Sequence, residues 1–262
     1  MSAPRSAQRA NRRQQRVEVQ EYLSRIGYRG PVRTDRTTLR RLHRAHMLAV
    51  PFENLDIIAG RRIVLDEPSF YDKIVSRRRG GFCYELNGLF AWLLGAIGFR
   101  VDRISARMRT PDGGFSPPHD HMALLVHLDG PWLVDVAGVS FTGPLKAAST
   151  RRQLRSTVPW RIVPCGAERL LQRREAGGWR PEYLFEPEPC ALGDFERGCH
   201  FHQTALESPF TRKRLCTLTT RNGRITLSGD LFIETVNGVR TETPVGSVEE
   251  AETILRHRFG LS

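Results

Sequence analysis

The sequence lacks the features that mark membrane-spanning, secreted and zinc-binding proteins. Its 262 residues contain no apolar run of about 18 residues, which is close to the length that a membrane-spanning helix needs. The start, MSAPRSAQRANRRQQR, is basic but has no apolar segment behind its arginines, so we expect no secretory signal. No Cys-x-x-Cys spacing occurs, which argues against a zinc finger. We therefore predict no membrane partner.

The cysteines are few and odd in number, which argues against a framework of disulfides. They are Cys83, Cys165, Cys190, Cys199 and Cys216. Without a secretory signal, we expect all five to be reduced thiols in a cytoplasmic protein.

The chain is strongly basic, with a formal net charge of +12 at pH 7. Nucleic-acid-binding signatures are absent, and basic stretches such as RRLHRAH and RRQLR contain no aromatic residues that could stack on bases. We predict no nucleic acid partner, and a basic nucleic-acid-binding module is only a remote alternative. Two explanations of the charge stay open: the residue usage of a GC-rich genome, or an anionic partner such as a phosphorylated cofactor or an acidic carrier protein.

The first third of the chain has a helical pattern. Apolar residues recur at helical spacing from Val17 to about Gly98, and Asp35 is a candidate helix N-cap. The segment CYELNGLFAWLLGAIGF predicts a core-facing helix that begins near Cys83.

The remainder has mainly strand patterns. From Arg100 onwards, short apolar or alternating stretches are separated by turns such as TPDGG and DGP. Near the C-terminus we predict a hairpin with Asn222 and Gly223 at its tip, a strand leading into Asn237 and Gly238, and a closing helix capped by Ser247. Helices followed by strands and a final helix predict an α+β fold.

Cys83 lies at a position that favours chemistry. It follows Gly80 and Gly81 in RRRGGFCYELNGLF, at the start of the predicted helix. The positive end of a helix dipole favours thiolate over thiol, and a tight glycine turn brings backbone N–H groups near the sulfur, where they could hold an oxyanion. A plain buried cysteine is the alternative interpretation of this one residue.

A thiolate nucleophile needs a base and a group that orients the base, and both occur in PPHDHMALLVHLDGPWLVDV. Its candidates are His119, His121 and His127, with Asp120, Asp129 and Asp135. Asp135 is the informative carboxylate, because an aspartate inside an apolar strand is costly unless it is paired; Asp120 and Asp129 are expected to be exposed. No cysteine or glutamate completes a metal-ligand set with the three histidines, so we predict no metal site.

Strand pairing gives a partial test of the His121–Asp135 pair. If DGP forms a three-residue hairpin loop, Leu125 pairs with Asp135, and His121 and Asp135 share a face of the sheet. They would then lie four positions apart, roughly 13 Å at about 3.3 Å per residue. This register predicts the right face but a distance too long for contact.

Several motifs resemble those of one enzyme family. RGGFCYELNGLF is similar to the active-site signature of the arylamine N-acetyltransferases, and PFENLDI resembles their second signature. HMALLV followed by WLVDV resembles the histidine and aspartate segments, and SPFTRKRLCTLTTRNGRITL resembles the opening of the third domain. The similarity runs in order from about Val17 to the C-terminus.

The resemblance implies a mechanism and roles for individual residues. Cys83 would be the nucleophile, His121 its base and Asp135 the orienting acid. The enzyme would move an acetyl group from acetyl-CoA, a co-substrate and not a bound cofactor, through a cysteine thioester to an aromatic amine or hydrazine. Glu53 and Asn54 would tie the helical bundle to the barrel. The cofactor-binding residues are left unknown.

The resemblance also implies a division of the α+β fold with a cysteine-protease-like triad. Residues 1–16 would be a disordered basic arm, and 17–99 an N-terminal helical bundle with the nucleophile. Residues 100–206 would form a small central β-barrel with the histidine and aspartate, and 207–262 a C-terminal α/β lid.

The sequence departs from the family pattern where substrates would bind. The usual D-V-G-F-G is replaced by DVAGVSFTGP, with Gly138, Val139 and Phe141 in the altered loop. Amide synthases of the same superfamily, which close ansamycin macrolactams from a chain on an acidic acyl carrier protein, are therefore an alternative. A thiol protease or transglutaminase-like hydrolase also uses a Cys-His-Asp set, but would not share RGGFCYELNG and PFENLD.

Overall fold

The protein is described here from a computed structural model. It describes residues 5–137, 141–154 and 158–261, with side chains from residue 13 onwards. Gly138 and Val139 of the altered loop lie outside the described residues. Within them, no helix combines the length and apolar character that crossing a membrane would need.

The N-terminal part is helical, as the sequence predicts. Its elements are α1 (Arg5–Arg25), α2 (Arg36–Ala49), the short strand β1 (Phe52–Glu53), α3 (Leu55–Ile58), α4 (Glu67–Tyr71) with a π-helical turn over Asp72–Ser76, and α5 (Cys83–Ile97). Asp35 caps α2 by accepting the Thr38 N–H at 2.7 Å, and Gly98 ends α5 in the left-handed conformation. Eleven of the fifteen α5 residues are buried, because this helix lies between other helices and the barrel.

The N-terminal arm differs from the sequence expectation. We expected residues 1–16 to be disordered, but α1 begins at Arg5, and the expectation is wrong from that residue onwards. The segment RSAQRANRRQQR contains good helix formers and no glycine or proline. It continues without interruption into the part of α1 that packs on the core through Tyr22 and Leu23, so it extends a helix that is already anchored.

Eight strands form the central barrel. They are β2 (Arg100–Met108), β3 (His121–His127), β4 (Pro131–Val134), β5 (Leu145–Lys146), β6 (Gln153–Leu154), β7 (Pro159–Cys165), β8 (Glu168–Glu175) and β9 (Gly178–Cys190). The strand order is β5-β4-β3-β2-β9-β8-β7-β6, antiparallel throughout. The edge strands meet through one side chain: Gln153 accepts from the Lys146 N–H at 2.8 Å and donates to its carbonyl at 3.1 Å. The sheet is therefore nearly closed.

Strands β8 and β9 were not predicted from the sequence. The β9 sequence, GWRPEYLFEPEPC, contains three prolines, which argue against a central strand. The structure accommodates them at irregularities: the β2–β9 register shifts between the pairs Ile104–Pro189 and Ala106–Phe185. Local bulges remove the ladder hydrogen bonds that proline could not make.

The hairpin of β3 and β4 corrects the predicted register. Its loop is Leu128 to Gly130, so His127 pairs with Pro131 and Leu125 pairs with Leu133. The predicted pairing of Leu125 with Asp135 is wrong by two residues. Continued in the observed register, Asp135 faces Ala123, two positions from His121 and about 7 Å along the strand. The predicted face was right, and the shorter separation permits side-chain contact.

The C-terminal part pairs a sheet with a helix. A 3-10 turn (Leu192–Phe195), α6 (Glu196–Thr204) and α7 (Pro209–Arg212) lead to β10 (Leu215–Thr220), β11 (Gly223–Ser228), β12 (Leu231–Val236), β13 (Val239–Pro244) and α8 (Val248–Phe259). The predicted hairpin forms, but its tip is Arg221 and Asn222, one residue before the predicted Asn222 and Gly223, since Gly223 already pairs with Thr220. The predicted strand into Asn237 and Gly238 is β12, which those two residues connect to β13 in a second hairpin, and Ser247 caps α8 as predicted. The division at residues 17, 100 and 207 stays a prediction.

Asn54 joins the helical part to the C-terminal sheet. Strand β1 pairs with β10, and the Asn54 side chain donates to the carbonyls of Phe210 and Lys213, both at 2.8 Å, and accepts the Leu215 N–H at 2.6 Å. Glu53 accepts from Arg79 at 2.9 Å within the helical part. The expectation that Glu53 and Asn54 tie the bundle to the barrel is therefore wrong: the connection is to the sheet of the lid.

Replacing Asn54 should loosen this connection. Asn54→Ala removes three hydrogen bonds and leaves a backbone N–H and two carbonyls without them, so we expect the free energy of unfolding in urea to fall by about 3 kcal/mol. Asn222→Ala, at an exposed hairpin tip, should change it by less than about 0.5 kcal/mol. Equal effects of the two substitutions would contradict the assigned role of Asn54.

Candidate active site

Cys83 is the first residue of α5, and a closely packed glycine pair precedes it. A Cβ on Gly80 would lie 2.2 Å from the Pro51 carbonyl oxygen, and one on Gly81 would lie 2.8 Å from a Glu85 carboxylate oxygen. Neither glycine has a positive φ. Glycine is needed at both positions because Pro51 and Glu85 lie so close that a side chain would collide with them. The tight glycine turn suggested by the sequence is not the reason.

Buried charges fix the start of α5. Glu85 accepts the Phe82 N–H at 3.0 Å and forms an ion pair with Lys73 at 2.9 Å. Lys73 also contacts Asp56 at 2.8 Å. Burial raises the pKa of Glu85 to about 7, against the opposing effect of the Lys73 charge. This buried network therefore fixes the position of the turn that carries the thiol.

The structure places Cys83, His121 and Asp135, the three residues that the family resemblance singles out, in one buried group. The His121 Nε2–H donates to an Asp135 carboxylate oxygen at 2.7 Å, which leaves Nδ1 as the ring nitrogen available to the Cys83 thiol. The exposed fractions of the three residues are 3%, 5% and 0%. A buried carboxylate at hydrogen-bond distance from an imidazole is the pairing that Asp135 requires.

The charges of this group depend on one another. Burial disfavours the imidazolium form of His121, but the charge and hydrogen bond of Asp135, helped by Cys83, outweigh burial and raise the pKa of His121 to about 10. Burial also disfavours the charged form of Cys83, so it raises the pKa of the thiol, whereas the hydrogen bond and charge of His121 lower that pKa. The thiolate therefore forms more readily beside a charged His121 than beside a neutral one.

Asn87 holds the three segments in place, and sequence reasoning missed it. It lies on α5 one turn after Cys83, on the same face. Its amide nitrogen donates to the Met122 carbonyl at 2.6 Å and to the Asp135 carboxylate at 2.9 Å, and its oxygen accepts the Val136 N–H at 3.0 Å. The only sequence signal was an asparagine four residues after a candidate nucleophile on an apolar helix.

Asp135 has further partners from other elements. Its carboxylate accepts the Ala137 N–H at 2.9 Å, and its carbonyl accepts from the His43 Nε2 at 2.8 Å. Burial lowers the pKa of His43 to about 4, so that ring is a neutral donor. Tyr183 packs on His121 with ring centroids 5.6 Å apart. Asp135 is thus held through its backbone from α2 and through its carboxylate from α5, and β9 packs on the ring of its partner His121.

The remaining candidates of the His/Asp segment have other partners. His127 contacts Asp102 at 2.6 Å, and His119 contacts the Cys190 sulfur at 3.7 Å, so the three histidines do not converge. Asp129 is exposed and accepts from Trp132 at 2.8 Å. Asp120 is partly buried and pairs with His202 at 3.1 Å, which corrects its expected exposure.

Comparison with known proteins identifies the family. The N-acetyltransferase family model matches residues 35–262, and an arylamine N-acetyltransferase of Mycolicibacterium smegmatis is 33% identical over 94% of this chain and 92% of the relative. The chain belongs to the arylamine N-acetyltransferase family. The Escherichia coli K12 arylamine N-acetyltransferase is 31% identical over 93% of this chain and 88% of the relative.

Solved structures of arylamine N-acetyltransferases share the fold. The enzyme from Salmonella typhimurium has a TM-score of 0.89 at 31% identity, covering 93% of this chain and 91% of its own. The Mycobacterium marinum enzyme in complex with CoA has a TM-score of 0.87 at 30% identity, covering 93% and 92%. The expected family and α+β fold are confirmed, and the amide synthase, hydrolase and nucleic-acid-binding alternatives are not favoured.

The electrostatic argument predicts how Asp135 affects the reactivity of the thiol. Asp135→Asn removes the negative charge that raises the pKa of His121, so burial should keep the imidazole neutral at pH 7. Cys83 then loses its cationic partner, and the midpoint of its alkylation by iodoacetamide should move to higher pH. The rate is measured by intact mass between pH 5 and 10.

The matched control is Asp129→Asn, an exposed carboxylate beside the same hairpin, which should leave the profile unchanged. Circular dichroism would establish that both variants are folded. Superimposable profiles for a folded Asp135→Asn and the wild type would contradict the role of Asp135 in charging His121.

Proposed function

We propose that this protein is an acyltransferase that moves an acetyl group from acetyl-CoA to the nitrogen of an aromatic amine or hydrazine, through a thioester on Cys83. The observation that carries the proposal is the buried contact of His121 with Asp135 beside a cysteine at a helix N-terminus, in a member of the arylamine N-acetyltransferase family. Acetyl-CoA enters as a co-substrate, and CoA leaves at the end of the first half-reaction.

The first half-reaction forms the thioester. The Cys83 thiolate attacks the acetyl carbonyl carbon, the bond from that carbon to the CoA sulfur breaks, and the departing CoA thiolate takes the proton that His121 holds. Asp135 stays ionised and keeps the imidazole oriented. Because Cys83 is 3% exposed, little water is present to hydrolyse the intermediate.

The second half-reaction releases the amide. The nitrogen of the acceptor attacks the thioester carbonyl, His121 takes a proton from that nitrogen, and Cys83 leaves as a thiolate that restores the initial state. An aromatic amine suits this step because it is unprotonated at neutral pH and of low basicity, so it needs an acyl group as reactive as a thioester.

The donor and the compartment are further parts of the proposal. A free acyl-CoA donor is supported by the relatives, including a neighbour solved with CoA. An acidic acyl carrier protein is a secondary donor, suggested by the net charge of +12.

All five cysteines, each within the described residues, are free thiols, which supports a cytoplasmic location.

Intact mass spectrometry tests the proposed intermediate. Wild-type protein mixed with acetyl-CoA should gain the mass of one acetyl group, and an aromatic amine such as p-anisidine should remove it as the amide. Cys83→Ser should give no adduct that the amine removes, whereas Cys165→Ser, at an exposed cysteine, should behave as wild type. Absence of an adduct on folded wild type that iodoacetamide still alkylates would overturn acetyl-CoA as donor; an adduct from an acetylated carrier protein would then identify the secondary one.

A further inference from the structure

A second histidine–carboxylate pair lies beside the triad. Asp120 directly precedes the proposed base His121, and its carboxylate lies 3.1 Å from the Nε2 atom of His202 on α6. The same nitrogen lies 3.2 Å from the Asp120 carbonyl oxygen. The side chains of His202 and Asp120 are 5% and 16% exposed, so the contact is largely removed from water, where a charge needs a partner.

The hydrogen-bond partners of His202 favour its charged form. Nε2 faces two acceptors, the carbonyl and the carboxylate of Asp120, so it carries a hydrogen. Nδ1 lies 3.2 Å from the Ser208 hydroxyl, which accepts the Phe210 N–H at 3.2 Å and lies 3.3 Å from the His202 carbonyl. An imidazolium donates from Nδ1 and leaves the Ser208 O–H for that carbonyl, whereas a neutral ring must accept the O–H itself. The charged ring therefore satisfies one more hydrogen bond than the neutral ring.

This group is not a second catalytic centre. Ser208, His202 and Asp120 have the residue types of a hydrolase triad. Ser208, however, is 0% exposed, and its oxygen caps the short helix α7. It is closed to a substrate, so the group can affect the reaction only through the triad beside it.

The segment around Asp120 is closely held by α5 and α6. His119 has a positive φ of 65°, which is uncommon for a residue other than glycine and persists only where the surrounding structure holds it. The hydroxyl of Tyr84, the residue after Cys83, lies 2.9 Å from the carbonyl oxygens of both His119 and Asp120 and donates to them. A Cβ on Gly198 of α6 would lie 2.5 Å from the His119 carbonyl oxygen. The two helices therefore hold Asp120 in one place next to the triad.

Four titratable groups face the Asp120 carboxylate. They are Cys83 and Tyr84 on α5, His121 on β3 and His202 on α6. Burial raises the pKa of the Cys83 thiol, and the Asp120 charge raises it further. Burial also raises the pKa of Tyr84, so its hydroxyl stays a neutral donor. A charge on Asp120 that nothing offsets would therefore make the Cys83 thiolate harder to form.

His202 both keeps Asp120 ionised and offsets its charge. Burial raises the pKa of Asp120, but the hydrogen bond and charge of His202, with a hydrogen bond from Ser116, outweigh burial and lower that pKa. The buried thiol of Cys199 on α6 also faces Cys83, but burial raises its pKa to about 12, so it adds no charge. The positive group that α6 brings to Asp120 is thus the His202 ring.

We propose that His202 is a positioning residue of this active site, which acts as an imidazolium that cancels the charge of Asp120 beside Cys83. The inference rests on the proposed role of Cys83 as the nucleophile and adds a second ion pair to the site. The pair of His121 with Asp135 supplies the cation that the thiolate needs. The pair of His202 with Asp120 prevents a neighbouring carboxylate from opposing that thiolate.

The test separates the charge of His202 from its hydrogen bond. His202→Gln keeps a donor for Asp120 without the charge, Asp120→Asn removes the carboxylate, and the double variant removes both charges. The matched control is His200→Gln, at an exposed histidine on the same helix. Alkylation of Cys83 by iodoacetamide is followed by peptide mass spectrometry between pH 5 and 10, and circular dichroism establishes that each variant is folded.

We expect His202→Gln to move the midpoint of Cys83 alkylation upwards by about one pH unit, the effect of one unpaired neighbouring charge. Alkylation at pH 7, and acylation by p-nitrophenyl acetate, should then slow about tenfold. The double variant should return to the wild-type midpoint because neither charge remains, and Asp120→Asn alone should not raise the midpoint. His200→Gln should match wild type. A purely structural role of His202 would give no such recovery, since the double variant has lost more native groups than the single one.

Nuclear magnetic resonance tests the charged ring without a substitution, and it decides alone if His202→Gln does not fold. In isotope-labelled wild type at pH 7, both ring nitrogens of His202 should have the chemical shifts of an imidazolium. A neutral His202 ring, an unchanged alkylation midpoint in His202→Gln, or a double variant as slow as His202→Gln would each overturn the inference. Failure of the proposed function is distinguishable, because wild type would then form no adduct with acetyl-CoA, whereas alkylation needs no acyl donor.

Discussion

The buried carboxylate of Asp135 is the constraint on which the site depends. A charge removed from water is tolerated only when partners replace the lost hydration. Here His121, Asn87 and the Ala137 N–H supply three hydrogen bonds to the carboxylate, and His43 adds one to the carbonyl of the same residue. Satisfying one carboxylate therefore fixes α2, α5 and the β3–β4 hairpin relative to one another, and the positions of the thiol and the imidazole follow.

The same constraint explains where the proton lies. Burial acts against charge on both Cys83 and His121, so neither would ionise readily alone. The Asp135 charge makes an imidazolium stable, and an imidazolium in turn favours the thiolate. The dipole at the N-terminus of α5 also favours the thiolate. Lys73 and Glu85 do not take part in this charge balance; they fix the first turn of the helix.

The sequence could predict those features that depend on local patterns. The start of α5 at Cys83, the isolated Asp135 in an apolar strand and the shared face of His121 and Asp135 all follow from neighbouring residues. The hairpin register could not be predicted, because a loop over residues 128–130 and a loop over residues 129–131 are equally compatible with the local pattern. The partners of Asn54 lie more than 150 residues away, and those of Asn87 lie on other elements, so no local pattern could reveal them.

Helix α2 links this chemistry to the charge of the whole chain. Its inner face carries His43, a buried donor that stays neutral because burial lowers its pKa to about 4. Its outer face carries Arg40, Arg41 and Arg44, which are exposed. Residue usage alone would spread arginines evenly over the surface, whereas seven of the described residues around one cavity are arginines, two of which, Arg173 and Arg240, pair with glutamates. Part of the charge of +12 is therefore local, and some of it lies on the outer face of the helix whose inner face holds Asp135.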